Sequence, residues 1–125
     1  MQELKYNRQK AYEYAKKWAL KRNPKYYDFD NVGGDCTSFV SQCIYAGSGY
    51  MNYTPNLGWY YINGNKKSPS WSGVEFLYDF LIKNKGVGPY GKDIINKILR
   101  NSLFFLNKIY VILIPEKGRE KCTIF

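Results

Sequence analysis

The sequence predicts an α+β domain, because three helical patterns precede residue 91 and the clearest strand pattern follows it. Apolar residues recur at helical spacing in residues 6–22, 36–46 and 72–84. Six consecutive apolar residues at 109–114, between Lys108 and Pro115, are typical of a buried strand. Helices that come first, with strands grouped after them, favour the α+β class over alternating α/β. The length of 125 residues suits one small domain.

The first predicted helix covers residues 6–22. Its inward face is defined by residues at helical spacing, namely Ala11, Tyr14, Ala15, Trp18 and Ala19. Lysines concentrate at its C-terminal end, where cations complement the helix dipole, and Asn23-Pro24 stops it. We expect these lysines to form a solvated face, with a polyanion site as the less favoured alternative.

The second predicted helix delivers a cysteine to its first turn. Gly33 and Gly34 permit a sharp entry turn, and Asp35 is a good N-cap residue. The apolar stripe then consists of Cys36, Phe39, Val40, Cys43 and Ile44, and Gly47 is the expected C-cap.

Cys36 has two interpretations on this local pattern. A thiol at a helix N-terminus faces unpaired N–H groups, which can lower its pKa from about 8.5 by one or more units and help to hold an oxyanion. Alternatively, Cys36 is a small core hydrophobe on the same stripe as Phe39. The local pattern supports both equally.

An aromatic, glycine-rich segment connects this helix to the third. Residues 59–62 predict a short strand, and Asn63-Gly64 is a strong turn signal. Half-buried packing is the default expectation for the aromatic residues here, and Trp59, Tyr60 and Trp71 are the candidates for stacking on a substrate. Ser72 and Glu75 have the spacing of a capping box that opens the third helix, and residues 86–91 form a loop.

Residues 33–43 (GGDCTSFVSQC) resemble the nucleophile motif of the bacterial putative amidase domain family, which belongs with the papain-like cysteine hydrolases. The resemblance covers about residues 5–91 and includes further segments: YNR at 6–8, residues 14–19, RNP at 22–24, GWYY at 58–61, SW at 70–71 and GPYG at 88–91. It implies a papain-like plan, in which N-terminal helices pack on an antiparallel sheet. It also implies hydrolysis of amide bonds, including those of cell-wall peptides, by Cys36, with Gly34 and Asp35 in support.

The chain departs from this family in having no histidine. The family pairs its cysteine with a histidine on a later strand, so we expect a nucleophile without its base and no turnover by the chain alone. Of the 23 residues from Lys92 to Ile114, 19 are Lys, Asn, Ile, Leu, Phe or Tyr, which A/T-only codons encode. We therefore divide the chain into an amidase-like part, 1–91, and a divergent tail, 92–125, with one or two strands and an incomplete sheet. The hypothesis is a truncation or loss of reading frame before the histidine.

Composition limits the remaining function classes. A net charge of +9 attracts polyanions, so a non-catalytic binding module for wall peptides or polyanions is the alternative function. The lysines are dispersed, which argues against a specific nucleic-acid module. Three cysteines without histidine give no metal-ligand pattern, and no cofactor is expected. We find no signal peptide and no transmembrane run, so the default location is cytoplasmic.

Overall fold

The computed structural model describes residues 6–30 and 35–91, together with the backbone of three strands between residues 103 and 124. In these described residues, four helices and two antiparallel sheets make this an α+β protein, as the sequence predicts. The elements in chain order are α1 (Arg8–Trp18), α2 (Cys36–Ser48), β1 (Tyr61–Asn63), β2 (Lys66–Lys67), α3 (Pro69–Ser72), α4 (Val74–Lys83), β3 (Leu103–Leu106), β4 (Ile109–Glu116) and β5 (Arg119–Ile124).

Helix α2 lies at the centre of the helical part. It contacts α1, α3 and α4, and it also lies against β4 and β5. The predicted stripe is confirmed, because Val40 and Cys43 have no exposed surface and Ile44 is buried, while Phe39 packs at the edge of the core. The other main contributors to this core are Ala11, Ala15, Trp59, Trp71, Val74, Leu77, Phe80 and Leu81.

Helix α1 is shorter than predicted and ends at Trp18. The Asn7 side chain caps it by accepting a hydrogen bond of 3.0 Å from the Lys10 N–H. Within α1 the buried residues are Ala11 and Ala15. Their small side chains allow α1 to approach α2 closely. Arg22 lies beyond the end of the helix, where its guanidinium binds three carboxylates.

Both caps of α2 differ from the prediction. Asp35 occupies the N-cap position, but its side chain makes no capping hydrogen bond. The helix continues past Gly47 to Ser48, and Gly49 is the left-handed C-cap, with φ of 76°. Gly47 is not the cap, but its lack of a side chain makes room for Tyr6, because a Cβ at this position would lie 2.6 Å from the Tyr6 ring.

The capping box predicted at Ser72 and Glu75 is wrong. Ser72 ends the short helix α3, and α4 begins after Gly73, which provides no side-chain cap. Val74, Leu77, Phe80 and Leu81 form the buried face of α4.

Strands β1 and β2 form a hairpin at the predicted Asn63-Gly64 signal, with Gly64 and Asn65 as the loop between the paired residues Asn63 and Lys66. The Asn63 side chain accepts hydrogen bonds from the N–H groups of Asn65 and Lys66, both at 2.9 Å. Trp59 precedes this strand and instead forms an isolated bridge with Asn52.

The second sheet is antiparallel in the order β3-β4-β5. Strand β4 contains the predicted run 109–114 and pairs Leu113 with Cys122 of β5. The described parts of residues 92–125 therefore contain three strands, where the sequence predicted one or two. Strand β5 is missed because charged and apolar residues are mixed along it, so it lacks an apolar run.

Candidate active site

Cys36 lies at the edge of a cleft between the end of α1 and the start of α2. The cleft has a volume of about 430 Å³, within the usual size range of ligand sites. Its lining residues are Trp18, Ala19, Leu20, Lys21, Arg22, Asn23, Tyr26, Asp35, Cys36, Phe39 and Gln42. Cys36 is half-buried at the first residue of α2, whereas Cys43, two turns later, has no exposed surface. The thiol of Cys36 is thus both at a helix N-terminus and on a cleft wall.

An ion cluster holds Asp35, the residue before Cys36. The Arg22 guanidinium contacts three carboxylates, at 3.1 Å from Asp28, 2.7 Å from Asp30 and 2.6 Å from Asp35. Asp35 also accepts a hydrogen bond of 3.3 Å from the Phe29 N–H. Its carboxylate is therefore occupied by these partners and does not cap α2.

The pKa of Asp35 is raised above its usual value. Burial is the main cause, and the hydrogen bond from Phe29 and the charge and hydrogen bonding of Arg22 oppose it without cancelling it. The Asp35 carboxylate is thus held in place at the end of the cleft, and Asp35 directly precedes Cys36 in the sequence. Gly34, the other predicted supporting residue, lies outside the described residues.

Two residues that line the cleft, Asn23 and Gln42, belong to a polar network that the sequence did not predict. Tyr14 donates a hydrogen bond of 2.5 Å to Oε1 of Gln42 and accepts one of 3.0 Å from Asn23. Nε2 of Gln42 contacts Oγ of Ser38 at 3.3 Å. Burial raises the pKa of Tyr14, so its hydroxyl remains a donor at neutral pH. Gln42 belongs to the 33–43 motif, but its partner Tyr14 looked like part of an apolar stripe.

The outer wall of the cleft carries an aromatic ring with two cations. The Nζ atoms of Lys17 and Lys21 lie 5.1 and 5.3 Å from the centroid of the Trp18 ring. Both distances are within the range of cation–π contacts. Trp18 is itself half-buried, with part of its surface facing the cleft.

Two of the three aromatic residues predicted to bind substrate are in the core. Trp59 and Trp71 have no exposed surface, and their ring centroids lie 5.2 Å apart. Ser41 joins them, because its Oγ accepts from Nε1 of Trp59 at 3.1 Å and donates to the Trp71 carbonyl at 2.8 Å. We therefore assign both tryptophans to packing. Tyr60 is half-buried and packs on Tyr53, outside the residues that line the cleft.

The remaining chemistry of the described residues is limited. Among them, His, Cys, Asp and Glu side chains form no group of three that could hold a metal ion. In this same part of the chain, no helix has the length and apolar character needed to cross a bilayer. Of the ionisable groups lining the cleft, Tyr26 has a pKa raised to about 12, mainly by burial.

Comparison with known proteins identifies the family. Residues 5–109 match the model of the family described as Putative amidase domain, so the chain belongs to this family. The match extends past residue 91 through β3 to Ile109, the first residue of β4.

The uncharacterized protein YhbB of Bacillus subtilis (strain 168) is 35% identical over 83 residues. These residues are 66% of this chain but 26% of the relative, so the chain spans about a quarter of that relative's length. No solved structure matches the chain.

Proposed function

We propose that this chain is the nucleophile-bearing part of a cysteine amide hydrolase of papain-like plan. The Sγ atom of Cys36 attacks the carbonyl carbon of the amide, and N–H groups at the start of α2 hold the resulting oxyanion. The position of Cys36 at a helix start, on the wall of a cleft, is the observation that carries the proposal. Membership of the amidase family supports it.

We also propose that the chain alone does not complete this reaction. The departing amine needs a proton, which cysteine hydrolases normally take from a histidine, and this sequence has none. Tyr26, with a pKa of about 12, and Asp35, held by Arg22, are poor substitutes. Acylation by an activated ester does not need this proton, so it remains accessible to Cys36.

A disrupted reading frame is our proposed origin of the missing base. The composition of residues 92–114 supports it, while the family match to residue 109 moves the expected break later than Gly91. Translating the coding DNA in all three frames tests the hypothesis. A histidine-bearing strand of this family in a shifted frame supports it, and its absence from all frames rejects it.

A binding role without turnover is the second candidate function. The cleft of about 430 Å³ favours it, because the cleft is formed without the missing base. In this role the chain holds a peptide, such as a wall peptide, at the same surface.

The test compares the unmodified chain with Cys36→Ala and Cys43→Ala on two substrates. With a p-nitrophenyl ester, we expect a burst of nitrophenolate from the unmodified chain and from Cys43→Ala, and none from Cys36→Ala. With a peptide amide, we expect no turnover that depends on Cys36, since general acid–base assistance worth about 10²–10⁴-fold is missing. A histidine-bearing family member is the positive control. Amide turnover that disappears in Cys36→Ala shows that another residue acts as the base, and absence of the burst removes Cys36 as nucleophile.

A further inference from the structure

Two ammonium groups meet at one indole ring on the wall of the candidate active site. Lys17 and Lys21 are both exposed, and their Nζ atoms lie 5.1 and 5.3 Å from the centroid of the Trp18 ring. Trp18 and Lys21 also line the cleft that contains Cys36. Two like charges held at one ring repel each other, so an anion placed between them is stabilised by both.

The other cation of the cleft is already neutralised. Arg22 is bound by Asp28, Asp30 and Asp35, so it has no charge to offer a ligand. In the described part of the chain, neither Lys17 nor Lys21 is paired with a carboxylate. The charge along the cleft is therefore uneven. Lys21 lines the cleft beside Trp18, with Lys17 against the same ring, whereas the Asp35 carboxylate is next to Cys36.

We propose that the Trp18 end is an anion-accepting subsite and that the substrate is an acidic peptide. A carboxylate of the peptide lies between the two ammonium groups, while its aliphatic part lies against the Trp18 ring. The scissile amide then extends toward Cys36. This assignment of substrate class rests on the proposed function of Cys36, but the charge of the subsite is measurable without any turnover.

The experiment compares two alkylating reagents that differ in charge, iodoacetate and iodoacetamide. The rate of each at Cys36 is followed by peptide mass spectrometry at an ionic strength of about 0.01 M, where screening is weak. The ratio of the two rates reports the local potential, because a change in the thiol pKa affects both reagents alike. A unit charge about 10 Å away in water changes the anion's rate about two-fold, so Lys17→Gln/Lys21→Gln should lower the ratio about four-fold.

The matched control is Lys16→Gln/Lys66→Gln, which removes the same net charge from exposed lysines outside the cleft. The proposal requires its ratio to stay close to that of the unmodified chain. If the control lowers the ratio equally, or if the Lys17 and Lys21 variant leaves it unchanged, the subsite is refuted.

A second measurement separates this proposal from the proposed function. The p-nitrophenyl esters of acetyl-glutamate and acetyl-glutamine should acylate Cys36 at different rates, with the glutamate ester faster and its advantage lost in Lys17→Gln/Lys21→Gln. If neither ester acylates Cys36, the nucleophile proposal fails, and the alkylation ratio alone still decides the subsite. Equal rates with both esters in the unmodified chain overturn the acidic-substrate assignment.

Discussion

Arg22→Ala tests whether the ion cluster holds the segment before Cys36. The substitution removes the one guanidinium that contacts Asp28, Asp30 and Asp35. The contacts to Asp28 and Asp30 are largely exposed, so each contributes at most about 1 kcal/mol. The Asp35 side chain is only 20% exposed, and a hydrogen bond between charged groups there contributes about 1.5–3 kcal/mol. We therefore expect a loss of about 2–4 kcal/mol in the free energy of unfolding at pH 7.

This loss should depend on pH in a defined direction. Burial already raises the pKa of Asp35 above its ordinary value of 3.8, and removal of Arg22 raises it further. A raised pKa in the folded state gives stability that is present below the ordinary pKa and lost as the pH rises through the folded-state value. The variant should therefore be least stable relative to the unmodified chain near neutral pH, and the difference should shrink toward pH 4.

Urea unfolding followed by tryptophan fluorescence measures both effects, with Lys83→Ala as the matched control. Lys83 lies 3.8 Å from Asp79 in an exposed ion pair one helical turn apart, so its removal should cost less than about 0.5 kcal/mol. A loss in Arg22→Ala no larger than in Lys83→Ala refutes the structural role of the cluster. A loss that grows as the pH falls refutes the electrostatic explanation.

Two further predictions concern α2. Cys36 should be alkylated by iodoacetamide much faster than Cys43 at pH 6–7, because only Cys36 reaches the surface; faster reaction of Cys43 in the folded chain, by mass spectrometry, contradicts this. Ser41→Ala should lower the unfolding free energy by about 1–3 kcal/mol, since it leaves the buried Nε1 of Trp59 without its acceptor. Ser48→Ala, at a more exposed position, is the control, and equal losses in urea unfolding argue against the buried bond.

The parts of the fold that the sequence predicts are those governed by local periodicity. The stripe of α2, the hairpin turn at Asn63-Gly64 and the strand at 109–114 each depend on a pattern within one segment. A pattern confined to one segment depends little on distant partners, and the structure confirms the helix, the hairpin and the strand.

The misassigned features depend on competition between distant partners. Asp35 can cap α2 or bind Arg22, and only the fold brings that guanidinium within 2.6 Å of it. Ser72 fits a capping box in sequence, but α3 extends through it. Trp59 and Trp71 lie in a glycine-rich aromatic segment, a context that predicts neither burial nor exposure of their rings. Their burial is accompanied by hydrogen bonds to Ser41, a residue distant in sequence, which only the fold brings close.

The same competition determines how much the cysteine motif says about activity. Between Thr37 and Cys43, every residue except Phe39 is buried, so packing around α2 constrains this part of the motif whether or not the protein is catalytic. Of the four motif residues that line the cleft, Asp35, Cys36 and Gln42 carry polar or nucleophilic groups, and Phe39 is apolar. The stability of the core is therefore a sufficient reason for this part of the motif to be kept, with or without catalysis. For this reason the motif identifies the family, whereas the dependence of acylation and amide turnover on Cys36 is what tests the activity.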